Sequence, residues 1–197
     1  MEHPILTLIN KPSRLVIGFM SGTSADGVDA ALVRITGCSR ETKAEQLEFC
    51  FVPFEAPVRA EILRLAGGGA ATAADFCRMN FLLGKLYCEA GLELCRRAGV
   101  APENIDLIGN HGQTFWHIPL PETYLGHSFR STFQLFPRRM WPFQLSCDVR
   151  TSSSVMRPSS THRRNFRSFC RIFLVLLRCT FRMTPPVCVS LNFVFRN

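Results

Sequence analysis

The stretch GFMSGTSADGVDAALV, residues 18–33, decides how the chain begins to fold. Apolar runs lie at both of its ends, Leu15 to Met20 and Ala30 to Ile35, and each has the length and composition of a buried strand. The segment between the runs, Ser21 to Val28, is small and polar, with glycines where the chain must turn sharply. The sequence therefore predicts a β-hairpin with this segment at its tip.

The residues after the hairpin predict further strands and helices in one α/β domain. The predicted elements are a strand over Leu47–Phe54, a helix from Pro57 to a Gly-Gly-Gly stop, a helix capped by Thr72 that runs to about Ala98, and a buried strand over Ile105–Gly109. The first three strands form an antiparallel meander. We interpret NHGQTFWHIP, residues 110–119, as a polar loop that follows the end of the last strand.

The basic character of the chain is confined to its last third. Residues 1–130 carry 12 Lys and Arg against 14 Asp and Glu, whereas residues 131–197 carry 11 Arg, no Lys, no Gly and one acid. The segment HRRNFRSFCR interleaves Arg with Phe, as a nucleic-acid-binding tail does. A frame change or a misplaced exon boundary gives the same composition. We favour that second explanation, so nucleic acid is not an expected partner, and we expect residues 151–197 to pack poorly.

Composition also limits the class of protein. The nine cysteines are an odd number without a C-x-x-C pair, which favours free buried thiols in a reducing cytosol over a disulfide framework or a zinc site. The N-terminus has no apolar segment typical of a signal peptide. The longest late apolar run, Ile172 to Leu177, is far shorter than the ~20 residues of a membrane span. We expect a cytoplasmic protein without a membrane partner.

The tip of the hairpin has the composition of a phosphate-binding loop. Small residues let backbone N–H groups approach an anion, and the hydroxyls of Ser21, Thr23 and Ser24 add donors. The carboxylates of Asp26 and Asp29 fit beside phosphates only if Mg²⁺ lies between them. Phosphates with Mg²⁺ indicate a nucleotide. The loop differs from a P-loop because it has no lysine and a strand follows it; a Gly- and Asp-rich turn without a ligand remains the alternative.

Two motifs give the chain a family resemblance. IGFMSGTSADGVDAALV closely resembles M-S-G-T-S-x-D-G-x-D, the signature of the anhydro-N-acetylmuramic acid kinases, and IDLIGNHGQTFWHIP is similar to that family's H-G-Q-T-x-x-H segment. APVRAEILRLA resembles the helix between them. Good similarity covers residues 14 to about 130.

The resemblance implies an actin/hexokinase-like, ribonuclease H-like sugar-kinase fold of two α/β domains with ATP in the cleft, of which this chain holds the N-terminal domain. It implies that water opens the 1,6-anhydro bridge of anhydro-N-acetylmuramic acid and that O6 then takes the γ-phosphoryl of ATP. ATP, Mg²⁺ and an anhydro-sugar are the implied cofactors and partners, and the family suggests a homodimer.

The resemblance also implies roles for particular residues. The implied ATP-binding residues are Gly22, Thr23, Ser24, Ala25, Asp26, Gly27, Val28 and Asp29. Asp26 is the implied contact to Mg²⁺ through Mg-ATP. The resemblance gives no role to His111, Gln113 and Thr114, but they follow the end of a strand, where α/β folds place ligands, and we predict that they lie on the substrate side. A loop whose His and Gln are hydrogen-bonded to the backbone is the alternative.

The chain departs from the family in its last part. The family's chains are about twice as long, and CDVRTSSSV at residues 147–155 resembles only the start of the motif D-F-R-x-x-D-x-A-A-G-G-x-G-A-P. Ser153 stands where that motif has its catalytic aspartate, so no catalytic base is expected.

We therefore predict a truncated, inactive kinase. It has an N-terminal extension (1–13), a partial kinase domain (14–150) and a non-matching segment (151–197). The alternatives are a fragment of a levoglucosan kinase, a class that resembles this family, and a non-catalytic nucleotide-binding remnant with a basic tail.

Overall fold

A computed structural model describes residue 8 and residues 10–37, 41–137 and 146–148 of the chain. Its strands are β1 (Ser13–Ser21), β2 (Gly27–Thr36), β3 (Lys43–Pro53), β4 (Leu107–Tyr124), β5 (His127–Leu135) and β6 (Ser146–Asp148). Its α-helices are α1 (Ala56–Ala66) and α2 (Ala73–Ala98), and a short 3₁₀ helix spans Pro102–Asn104.

The strands form one mixed sheet in the order β3-β2-β1-β4-β5, and β6 also pairs with β4. β1, β2 and β3 are an antiparallel meander, with Ile17 opposite Leu32 in the first pair. This confirms the predicted hairpin and the third strand. β4 then returns beside β1 in the parallel direction, with Gly18 opposite Gly109. A mixed α/β architecture is therefore established.

Both predicted helices are present, with the predicted ends. Pro57 lies in the first turn of α1 and Gly67 ends it. Thr72 caps α2 in a capping box with Asp75, and Gly99 ends that helix in the left-handed conformation.

One face of the sheet packs against α2. Phe19, Ala30 and Leu32 of the sheet are fully buried with Leu83 and Tyr87 of the helix, and the rings of Phe19 and Tyr87 lie 5.5 Å apart. The alternation of strand residues therefore aims every second side chain at the helix.

The prediction of a polar loop over residues 110–119 is wrong. These residues continue β4, which pairs with β1 as far as Gln113 and from there with β5. The segment tolerates Pro119 and Pro121 because the β4–β5 register shifts between Ile118 and Glu122, where ladder hydrogen bonds are interrupted. Its polarity and prolines suggested a loop, and β5 supplies the partner that makes it a strand.

Several predictions concern residues outside the described ranges. These include the packing of residues 151–197 and the position of Ser153. The predicted domain boundaries likewise stay predictions.

Cys50 and Cys95 are buried free thiols as predicted, whereas Cys77 is exposed. Within the part of the chain that the structure describes, no helix is both long and apolar enough to cross a membrane.

Candidate phosphate-binding site

The loop between β1 and β2 follows the carboxyl end of β1, beside the interior of the parallel strand β4. β1 ends at Ser21, which pairs with Gln113 of β4, and the loop of residues 22–26 follows directly. In α/β sheets, ligands bind at this edge because loops and unpaired backbone groups collect there. The loop therefore lies where a binding site is expected.

The loop is a compact turn with an exposed tip. The Ala25 N–H donates to the Gly22 carbonyl over 3.1 Å, and Ala25 has a φ of +50°, a left-handed conformation that is uncommon outside glycine. Thr23 and Ser24 are exposed at the tip, and their backbone N–H groups have no acceptor among the described residues. These two N–H groups and two hydroxyls are free to bind an anion.

Gln113 holds the loop to β4. Its side chain is fully buried, and its amide nitrogen donates to the carbonyls of Gly22 over 2.8 Å and Thr114 over 2.9 Å. Its amide oxygen lies 2.6 Å from the hydroxyl of Ser21, which is also 2.8 Å from the Gly27 carbonyl and can donate its one proton to either. A buried polar group with every partner in place fixes the backbone around it.

A buried aromatic floor supports this anchor. Tyr87 of α2 is completely buried below β1. Burial raises the pKa of its phenol, and the neighbouring Ser21 opposes that shift. The Tyr87 phenol therefore stays neutral and adds no charge below the loop.

Asp26 and Arg59 form the charged side of the loop. Arg59, in the first turns of α1, places Nε 3.5 Å from Asp26 Oδ1, and its Nη2 donates to the Ser24 carbonyl over 3.3 Å. Both side chains are partly exposed, at 47% for Arg59 and 39% for Asp26. α1 is held near the loop because the Phe54 N–H donates to the Asp26 carbonyl over 3.0 Å.

The other predicted ATP-binding residues lie in β2. Gly27 has no room for a side chain, because a Cβ there would collide with the Val52 carbonyl oxygen and lie 2.7 Å from the Phe51 ring. Val28 is buried in the core, and Ala25 of the loop is buried too. Asp29 is half-buried in the strand, opposite Met20. Ala25 and Val28 can therefore reach a ligand only through their backbone.

His111 and Thr114 meet on the β4–β5 side of the same edge. The amide nitrogen of Gln134 in β5 lies 3.2 Å from His111 Nε2 and 3.2 Å from the Thr114 hydroxyl. Burial lowers the pKa of the His111 imidazole, and the backbone of Gly112 opposes that shift. The ring is therefore neutral near pH 7 and can accept or donate a hydrogen bond.

The residues present fit a magnesium nucleotide. The loop supplies exposed N–H and hydroxyl donors, and Asp26 supplies a carboxylate oxygen of the kind that Mg²⁺ prefers. Among the described residues, no group of three or more His, Cys, Asp and Glu side chains could hold a metal alone. A Mg²⁺ ion at Asp26 would thus depend on phosphate oxygens and water for its other ligands, as is usual for Mg²⁺ with nucleotides.

Sequence reasoning missed three residues of this edge. Arg59 is 33 positions from Asp26, and its contact depends on how α1 docks. Gln134 meets His111 only through the β4–β5 hairpin. Asn110 is 1% exposed; its Oδ1 accepts from the Gly112 N–H over 2.7 Å, and its Nδ2 has no partner among the described residues. Of these three residues, only Asn110 could have been predicted from the sequence, because it belongs to the polar run that begins after Gly109.

The chain is similar to known proteins over the region that carries this site. A family model described as Anhydro-N-acetylmuramic acid kinase matches residues 14–135. An anhydro-N-acetylmuramic acid kinase of Caldanaerobacter subterraneus subsp. tengcongensis is 50% identical over 131 residues, which are 66% of this chain and 33% of that protein. The kinase of the same name from Bacillus cereus strain Q1 is 40% identical over 120 residues, 61% of this chain and 31% of the relative.

The chain thus spans about a third of the length of the curated relatives it matches. The family match covers more than half of its 197 residues and includes both sequence motifs and every strand from β1 to β5. The chain belongs to the anhydro-N-acetylmuramic acid kinase family.

Proposed function

We propose that this chain carries out the ATP-binding part of a kinase reaction in which the 1,6-anhydro bridge of anhydro-N-acetylmuramic acid is hydrolysed and O6 is phosphorylated, and that the chain does not itself turn over this reaction. Family membership and the names of the relatives support this substrate, and a role in amino-sugar metabolism and cell-wall recycling belongs to the proposal. The chain covers about a third of those relatives, so the substrate and the reaction are both proposals. A cytoplasmic location and an actin/hexokinase-like fold belong to it too.

One observation carries the proposal: the loop between β1 and β2 is exposed at its tip and fixed at its base by Gln113. A fixed loop presents the N–H groups of Thr23 and Ser24 in one arrangement, so little ordering is needed when phosphates bind. ATP supplies the phosphoryl group, and the loop's part is to hold and orient the phosphates. In phosphoryl transfer, positioning and charge neutralisation provide most of the catalysis.

The sugar side of the site is assigned to His111 and Thr114. They share one edge with the loop, and both contact Gln134, which sets their positions relative to one another. Gln113 lies between them and the loop with its amide fully used inside the protein. We therefore give Gln113 the role of positioning the phosphate loop from the substrate side.

Titration of ATP with and without Mg²⁺ tests the proposal. We expect the wild-type chain to bind MgATP more tightly than free ATP, and we expect Asp26→Ala to weaken MgATP binding by at least about tenfold, since it removes a charged ligand. The matched control is Glu45→Ala, which removes another exposed, ion-paired carboxylate from β3. Equal MgATP affinity for wild type and Asp26→Ala at saturating Mg²⁺ contradicts the role of Asp26.

A further inference from the structure

The phosphate loop lacks a cationic residue of its own. Residues 21–29 contain two aspartates and no lysine or arginine, so the loop alone is a poor site for a polyphosphate. In other phosphate sites a lysine or arginine offsets the charge of the phosphates. Among the described residues, a positive charge reaches this loop from α1.

Arg59 is in position to supply that charge. Its guanidinium spans the loop, with Nε near Asp26 and Nη2 on the Ser24 carbonyl. Nη1 has no partner among the described residues, and the side chain is about half exposed, so further N–H groups are available to a ligand. The planar fork of arginine matches two phosphate oxygens at once.

We propose that Arg59 is a phosphate-binding residue of this site, with Asp26 as its counter-ion while no nucleotide is bound. With a magnesium polyphosphate bound, Asp26 would hold Mg²⁺ and Arg59 would donate to a phosphate oxygen. The ion pair is suited to this exchange: it is long, at 3.5 Å, and partly exposed, and such pairs contribute little to stability. The inference rests on the proposed function, because it concerns the same loop.

Binding of MgATP and of magnesium tripolyphosphate to the full chain tests the role of Arg59. We expect Arg59→Ala to weaken both ligands by about tenfold or more, since it removes charge-assisted hydrogen bonds to phosphate. Arg59→Lys should recover part of the loss, because lysine restores the charge but not the fork. A loss with MgATP but none with tripolyphosphate would overturn the assignment to the phosphates.

The matched control is Arg34→Ala. Arg34 is an equally exposed arginine that pairs with Glu45 near the far end of β2, so its removal changes the net charge by the same amount away from the loop. We expect it to leave both affinities unchanged and all variants to keep the wild-type melting temperature within a few degrees. A loss of affinity in Arg34→Ala as large as in Arg59→Ala would show a general charge effect and overturn the proposal.

A double variant shows whether Arg59 binds phosphate directly or acts only by holding Asp26 in place. If Arg59 contacts phosphate, Arg59→Ala still weakens binding in an Asp26→Asn background; if it only holds Asp26, the second substitution has no further effect, and the inference is wrong. If the proposed function itself is wrong, the wild-type chain binds neither MgATP nor magnesium tripolyphosphate. That result differs from the one expected if only the role of Arg59 is wrong. Binding by wild type with unchanged affinity in Arg59→Ala overturns the role of Arg59 alone.

Discussion

At the scale of single residues, Gly22 in the loop and Gly27 at the start of β2 are glycine for different reasons. Gly27 is surrounded by the backbone of β3 and the Phe51 ring, so the close approach of two strands excludes a side chain. Among the described residues, apart from its two chain neighbours, none has an atom within 4 Å of the position where a Cβ on Gly22 would be. The protein itself does not require a glycine at position 22, whereas a ligand that approaches the backbone does.

The pair of substitutions Gly22→Ala and Gly27→Ala tests this difference. We expect Gly27→Ala to lower the free energy of unfolding by about 1–3 kcal/mol, as overpacking does, because β2 and β3 must move apart. Gly22→Ala should keep or slightly raise the melting temperature, since alanine restricts the unfolded chain, and yet weaken MgATP binding. Thermal denaturation and ATP titration of both variants give the result. Unchanged ATP affinity in Gly22→Ala would mean that phosphates do not approach this backbone.

The burial of Gln113 could not be predicted from its place in the sequence. Its position in a run of polar residues indicated a group that faces a ligand, but its amide is fully used by Ser21, Gly22 and Thr114. Two of those partners are more than 90 residues away in the chain. The sequence identifies a polar residue in a binding motif, but only the pairing of β1 with β4 shows that it is buried behind the loop.

At the scale of elements, local signals predicted most of the structure. The β1–β2 hairpin, α1 and α2 are encoded by neighbouring residues, such as the apolar runs around the loop and the caps at Thr72 and Gly99. β4 and β5 are not, because the chain from residue 110 onward becomes a strand only through partners distant in sequence. The β-bulges between them accommodate prolines that normally indicate a loop.

The capping box of α2 predicts a dependence of stability on pH. Hydrogen bonds from the backbone and hydroxyl of Thr72, and then from Arg78, lower the pKa of Asp75 to about 2 from its usual 3.8. A carboxylate whose pKa is lower in the folded state stabilises the fold above its unfolded pKa, and this stabilisation is lost as the pH falls through the folded pKa. The loss therefore falls between about pH 4 and pH 2.

We expect wild type to melt at a higher temperature than Asp75→Asn at pH 7, and we expect this gap to shrink as the pH falls from about 4 to 2. Glu93, whose pKa Arg96 and Arg97 also lower to about 2, titrates in both proteins and does not affect the gap. Glu89→Gln is the control, since it changes an exposed acid on the same helix outside the cap. A gap that stays constant over this range would show that Asp75 does not stabilise α2 as an anion.

At the scale of the whole molecule, the proposed binding loop and the motif expected to carry the catalytic base lie in different parts of the chain. The loop, its anchor Gln113 and its neighbour Arg59 all lie within residues 14–135, which match the family model. The resemblance implies that the family's catalytic aspartate belongs to a later motif, at a position where we expect Ser153 in this sequence. Nucleotide binding and turnover are therefore expected to separate in this protein, which makes turnover an independent test.

We predict that the chain shows no sugar-kinase activity even where it binds MgATP. Opening the anhydro bridge needs a base toward water, and serine cannot serve near neutral pH; general-base catalysis contributes roughly 10²–10⁴-fold in rate. The resemblance implies that ATP and the sugar must also be held close together in a cleft for the transfer to occur. A misplacement of about 1 Å can cost a further ~10²-fold.

The measurement is the formation of 6-phosphate from MgATP and 1,6-anhydro-N-acetylmuramic acid, and then from levoglucosan. The Caldanaerobacter relative, 50% identical over the matched region, is the positive control for the first sugar. Ser153→Asp in this chain shows whether the base alone is missing: we expect no recovery, because MRPSSTHRRN replaces the Gly-rich residues that follow the aspartate in the family's motif. Turnover by the unmodified chain within minutes would mean that the region after residue 135 supplies a working base from outside the family's motif.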